Sequence, residues 1–159
     1  MLRPARSDLT AAALVSLAAA ITITAAQLSE PLEHGIWLIA YLALVGFLAQ
    51  LLLGRGEVAL LFATDLPLPP CEIRVAQALL WNLGVIAVPL GVLVETRLAV
   101  VLGSVSLLTA LASFWKTVRP AIKTSRCWKR QGVSYVALLV FMAASVVAGV
   151  ALAWDTPWV

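Results

Sequence analysis

An all-α, polytopic membrane helix bundle is the fold class that the sequence predicts, with five transmembrane helices, the N-terminus inside and the C-terminus outside. Three observations predict it. Hydrophobic residues make up 62% of the 159 positions and charged residues only 12%, against roughly half and a quarter in a soluble domain. The apolar residues gather into five runs that contain no Asp, Glu, Lys, Arg or His. The basic residues fall almost entirely on one side of those runs. A small domain leaves a large fraction of its surface exposed even when folded, so this composition excludes an ordinary soluble domain. It equally excludes a disordered chain, which is poor in apolar residues.

The five runs are Leu9–Leu28, Ile36–Gly54, Val75–Val94, Leu98–Trp115 and Val133–Trp154, of 20, 19, 20, 18 and 22 residues. Each is near the ~20 residues that cross the hydrocarbon core at about 1.5 Å per residue. Residues 1–159 thus read as a single integral membrane domain. Strands are the poorer reading, because barrel strands alternate apolar and polar residues. Helices also satisfy every backbone polar group internally, as lipid requires. A signal peptide is the competing reading of the first run, given Arg3 and Arg6 before it and the small residues Thr24 and Ala26 within it. The run is longer than the usual h-region of about 7–15 residues. Cleavage after Ala26 would leave four spans with the same orientation.

Charge sets the orientation, since cytoplasmic loops collect Lys and Arg. With the N-terminus inside, all of the 11 basic residues except Arg97 lie in inner segments. Trp37, Trp154 and Trp158 then fall at the outer boundary, and Trp115, Trp128 and Tyr135 at the inner one, as aromatic belts do. Trp81 lies well inside the third run and reads as helix packing.

The outer loops, 29–35 and 95–97, are too short for a folded domain. The inner loop Arg55–Arg74 contains Val58–Ala63, an apolar stretch that reads as interfacial. Leu66-Pro67-Leu68-Pro69-Pro70 follows and reads as a rigid extended turn. In the second inner loop, 116–132, Lys116, Arg119, Lys123, Arg126 and Arg130 are spaced by three and four residues. At 100° per residue they occupy an arc of about 80°. With Lys129 they form a topology anchor and a candidate surface for anionic lipid headgroups. Pro120 suits the first turn of a new helix there. The pI near 9.2 does not point to nucleic acid, because the bases are juxtamembrane and no recognition motif accompanies them. Cys71 and Cys127 form no CxxC or Cys/His metal spacing.

Candidates for chemistry are few, and no catalytic constellation stands out. His34, just before the second run, is the one histidine. It is a weak candidate for haem or metal binding, with Glu30 and Glu33 beside it as weak metal candidates. A second axial haem ligand is missing at that level, and no cofactor is predicted. Gln50, Gln77 and Asn82 are the strongest hydrogen-bonding residues in the second and third runs. They read as polar side chains that join helices. Asn82 is expected to pair with a neighbouring helix, with Gln50 and Gln77 as candidate partners. Small residues recur as Gly103, Ser106, Ala110 and Ser113 on the fourth run, and as Ala144, Ser145, Ala148 and Gly149 on the fifth.

The segments HGIWLIAYLALVGFLAQLLLG, from His34 to Gly54, and QALLWNLGVIAVPLGVLVE, from Gln77 to Glu95, carry a resemblance. They resemble small, uncharacterised polytopic membrane proteins of high-GC bacteria. The resemblance covers about 40 of the 159 residues and brings no catalytic residue with it. It implies a bacterial plasma (inner) membrane. The expected role is a non-catalytic accessory or interaction subunit of a membrane assembly, working with a membrane-protein partner or as a homo-oligomer. A haem- or redox-associated protein using His34 is one alternative. A small oligomeric transporter or channel is the other, although the five runs hold no ionisable group of the kind that transporters carry.

The topology has a direct test. A phosphatase active only outside the cytoplasm, fused after Val159, is expected to be active, and a cytoplasm-dependent reporter at the same site inactive. The opposite pattern would overturn the threading.

Overall fold

The computed structural model of the chain describes residues 7–29, 35–124 and 129–155. Every regular element among them is helical. The order is α1 (Ser7–Ser29), α2 (Gly35–Tyr41), a π-helical segment (Leu42–Ala49), α3 (Gln50–Ala63), α4 (Cys71–Leu93), α5 (Arg97–Thr124) and α6 (Lys129–Asp155). The helix continues without a break from α2 through the π segment into α3. Five helices are therefore long and apolar enough to cross a membrane: Leu9–Gln27, Gly35–Ala63, Cys71–Leu93, Arg97–Lys123 and Gly132–Ala151.

The segments 55–74 and 116–132 hold less loop than the sequence suggests. The helix through Gly54 runs on past Arg55 and Glu57 to Ala63, so Val58–Ala63 is helical and continuous with the second span. Only Thr64–Pro70 remains between α3 and α4. Likewise α5 passes through Lys116, Arg119 and Lys123 to Thr124. Pro120 lies inside that helix rather than in the first turn of a new one. Both differences have one cause: a charged residue ends an apolar run but does not end a helix, because Arg, Lys and Glu are good helix formers.

The chain falls into two units, Met1–Arg55 and Gly56–Val159. In the first, α1 packs along α2 and the π segment. Its buried stripe is Leu9, Ala13, Ser16 and Ala20, at the alternating four- and three-residue spacing of one helix face. The hydroxyls of Ser16, Thr22 and Thr24 donate to the carbonyls of Ala12, Ala18 and Ala20, one turn back. This satisfies them without a partner helix. Gly54 lies against Leu9. The rings of Trp37 and Tyr41 stack one turn apart, with centroids 5.4 Å apart. Nothing in the residue pattern of Leu42–Ala49 announces the π-helical winding.

In the second unit, α4 and α5 make the closest pairing. They are antiparallel, joined by Val94-Glu95-Thr96. Here the Thr96 amide bonds to the Gly91 carbonyl at 2.8 Å and the Glu95 amide to the Val92 carbonyl at 3.3 Å. This is the Schellman closure of a helix. Glu95 takes the left-handed position at φ 54°, where glycine is usual. The same closure ends α3, with Asp65 at φ 52° and the Leu66 amide on the Leu61 carbonyl at 3.0 Å.

Beyond the turn the two backbones nearly touch. A Cβ on Gly91 would lie 2.7 Å from the Val100 backbone nitrogen. One on Gly84 would lie 2.8 Å from the Gly103 carbonyl oxygen, and one on Gly103 would lie 2.9 Å from the Val88 nitrogen. Ser106 uses the short gap to donate to the Leu80 carbonyl at 2.7 Å. The buried positions Gln77, Gly84 and Gly91 on α4 recur every seventh residue, as do Val100, Leu107, Phe114 and Ala121 on α5. Such a repeat keeps one seam facing its partner over the whole helix length. Trp81 is buried on α4, and its indole nitrogen has no acceptor among the described residues. Pro89 lies inside α4. Helix α6 packs on α5, and its Gly132, Tyr135 and Leu139 are buried.

The glycine contacts generate a paired prediction. Gly91→Ala is expected to destabilise the protein in detergent by about 1–3 kcal/mol, because besides a Val100 methyl it meets the backbone of Ala99 and Val100, which cannot yield. Gly149→Ala, with nothing within 4 Å of the added carbon, is expected to be neutral or to stabilise by up to about 1 kcal/mol through helix propensity. Equilibrium unfolding of both variants checks the contrast.

Candidate functional site: a buried polar junction

A carboxylate inside a membrane-length helix is the least expected feature of the chain. Arg55 and Glu57 both lie in α3, two residues and so about 200° apart around the helix. Arg55 is exposed and Glu57 is completely buried. The absence of an ionisable group from the five apolar runs therefore does not carry over to the helices, because α3 brings Glu57 into the interior.

Three helices meet at this residue. The Gln77 amide nitrogen on α4 donates to Glu57 Oε1 on α3 at 3.4 Å. The same nitrogen donates to Thr117 Oγ1 on α5 at 3.2 Å. The Thr117 hydroxyl in turn donates to the Ser113 carbonyl at 3.1 Å. The directions are self-consistent, since a primary amide carries two hydrogens on one nitrogen and so serves two acceptors at once. Gln77 itself is completely buried. Arg74 precedes it by three residues, on the same side of α4 by helical spacing, and is half-buried. On the neighbouring residue of α3, Gly56 lies against the ring of Tyr135 from α6. Burying a carboxylate is costly unless hydrogen bonds compensate it, and Gln77 supplies one such bond. The arrangement clasps α3, α4 and α5 at one level.

The other sequence candidates are placed as follows. Gln50 is buried in the first unit. Asn82 is half-buried, and its side-chain amide donates at 2.7 Å to the carbonyl of Ala78 in its own helix, one turn back. Lys116, Arg119 and Lys123 are exposed on α5. Lys129 and Arg130 lie in the first turn of α6, with side chains outside the described residues. Arg126, Glu30, Glu33 and His34 lie outside the described residues altogether. Cys71 is exposed at the start of α4.

Sequence reasoning finds Gln77 but misses Glu57 and Thr117. The signal for Glu57 is its offset from Arg55, which puts the two charges on different faces of any helix that continues through them. Thr117 carries no signal, because its role is set by a residue 40 positions away. The chain matches no family model, no curated protein and no solved structure.

Gln77→Leu is expected to lower stability by about 1–3 kcal/mol, since it withdraws a donor from a buried carboxylate. The double variant Glu57→Leu/Gln77→Leu is expected to be more stable than Gln77→Leu alone, because it also removes the charge. Unfolding in detergent of the two singles and the double tests this, and a double variant that is worse than both singles would overturn the clasp.

Proposed function

We propose that this chain is a multi-pass protein of a bacterial plasma membrane, threaded with its N-terminus inside and its C-terminus outside, and that it acts as a non-catalytic interaction subunit of a membrane assembly. The observation that carries the membrane reading is the outward surface. On α4, Leu79, Leu83, Ile86 and Leu90 are exposed, at the spacing of one helix face and away from the Gln77, Gly84 and Gly91 seam. Exposed Leu14, Val15 and Ile21 on α1, and Val133, Val140, Phe141 and Val147 on α6, add to it. A soluble monomer rarely presents so many large apolar side chains to solvent along whole helix faces.

The subunit reading is supported by α6. Only 11% of its apolar window is buried, against 44% for α5. Its exposed positions include Ala144, Ser145, Ala148 and Gly149, small residues of the kind that let another helix approach closely in lipid. One observation favours a second reading, a small oligomeric transporter or channel. It is the buried Glu57, because ionisable residues within membrane helices commonly line ion or substrate paths.

Native purification in mild detergent, with partners identified by mass spectrometry, separates the two. The subunit reading expects a stoichiometric membrane protein or a second copy of the chain, lost on Ala148→Leu/Gly149→Leu, with only background ion flux in liposomes. A lone chain that conducts ions and stops conducting on Glu57→Gln would replace it with the transport reading.

A further inference from the structure

The inner end of α5 carries one interaction surface that the helix geometry makes specific. We infer that Lys116, Arg119 and Lys123 form a fixed docking face for the phosphate headgroups of anionic phospholipids. The inference rests on the proposed membrane threading, which puts this end of α5 at the cytoplasmic surface.

Three observations carry it. First, α5 is one helix from Arg97 to Thr124, so these bases ride on a rigid continuation of a membrane span and not on a loop. Trp115, partly exposed, precedes them and suits the headgroup level. Lys116, Arg119 and Lys123 then follow over about 12 Å of helix axis beyond it.

Second, the rotation of this segment is fixed from behind. Val118 and Ala121 are completely buried, and Thr117 is held by Gln77 of α4. These residues point the same two turns inward while Lys116, Arg119 and Lys123 stay exposed. The three cations thus lose less freedom on binding than they would in a flexible loop.

Third, the charge is of one sign. No acidic residue lies between Arg97 and Arg130, so the face has no neighbour on its own helix to neutralise it. A lipid surface is favoured over an acidic protein because the span itself delivers the face to the headgroup layer.

The test uses the full chain in detergent, mixed with phosphatidylglycerol or with phosphatidylcholine, and counts retained lipids by native mass spectrometry. The wild type is expected to retain phosphatidylglycerol preferentially, and less so as salt rises. At low salt each base contributes about a five-fold factor. Lys123→Gln should therefore weaken phosphatidylglycerol retention about five-fold, and the triple Lys116→Gln/Arg119→Gln/Lys123→Gln about 100-fold. Arg97→Gln, at the opposite end of α5, should leave retention unchanged. Equal retention of the two lipids by the wild type, or an unchanged triple variant, overturns the inference. So does a triple variant that keeps its lipid and sheds an acidic protein instead. Resistance of the wild type to alkaline extraction from membranes is read in parallel. A chain that stays in the membrane but shows no lipid preference refutes only the docking face, whereas a chain that washes out refutes the membrane reading beneath it.

Discussion

The backbones of α4 and α5 approach until only glycine fits between them, and much else in the second unit follows from that contact. In hydrocarbon there is no hydrophobic force to push two apolar helices together, because lipid tails are as apolar as leucine. Association has to come from van der Waals packing and from polar bonds at short range. Gly84, Gly91 and Gly103 supply the first by removing the side chains that would hold the backbones apart. Ser106 supplies the second, and its 2.7 Å bond to the Leu80 carbonyl crosses from one helix to the other only because the gap is small. The tight turn at Val94–Thr96 is compatible with this approach, since its Schellman closure redirects the chain within three residues.

At the other end of the same helix pair, polarity does what glycine does near the turn. Gln77 stands in the seven-residue register of Gly84 and Gly91, so the seam that is smallest near the loop becomes hydrogen-bonding far from it. Its single amide nitrogen reaches Glu57 and Thr117. A glutamate at this position would bring a second carboxylate to the first, and a leucine would leave both acceptors without this donor. The clasp adds the last part of α3 to the α4–α5 pair. It also sets the azimuth of the α5 turns that carry Thr117, Val118 and Ala121.

The five spans were legible because they depend on composition over about 20 residues, and burial in lipid needs no particular partner. The ends of the second and fourth were not, for a physical reason visible at Arg55 and Lys116. Hydropathy registers where the solvent changes, whereas a helix stops where its backbone is capped or closed. Here α3 runs through Gly54 and Gly56, neither of which takes a positive φ, and stops at the αL residue Asp65. The buried clasp was half legible. Gln77 stands out as an amide in an apolar run, but Glu57 looks like a loop charge until α4 and α5 are brought beside it. Asn82 makes a bond that the sequence reading does not anticipate, to the Ala78 carbonyl one turn back in its own helix, an option open to any short polar side chain in a helix. The π-helical winding of Leu42–Ala49 has no counterpart in the residue pattern.

A charge beside an apolar run thus has two meanings, and the 100° step of the helix decides between them. In α3 the step separates Arg55, which faces out, from Glu57, which faces in. In α5 it separates Lys116 and Arg119, which face out, from Thr117 and Val118, which face in. The same two turns of α5 therefore serve two surfaces, one gripping the bundle through buried contacts and one presenting cations. Neither use interferes with the other, because residues at three- and four-residue spacing share a face while their immediate neighbours do not. A helix that runs on for two turns past its apolar stretch gains both surfaces at once, and a loop at the same positions would fix neither.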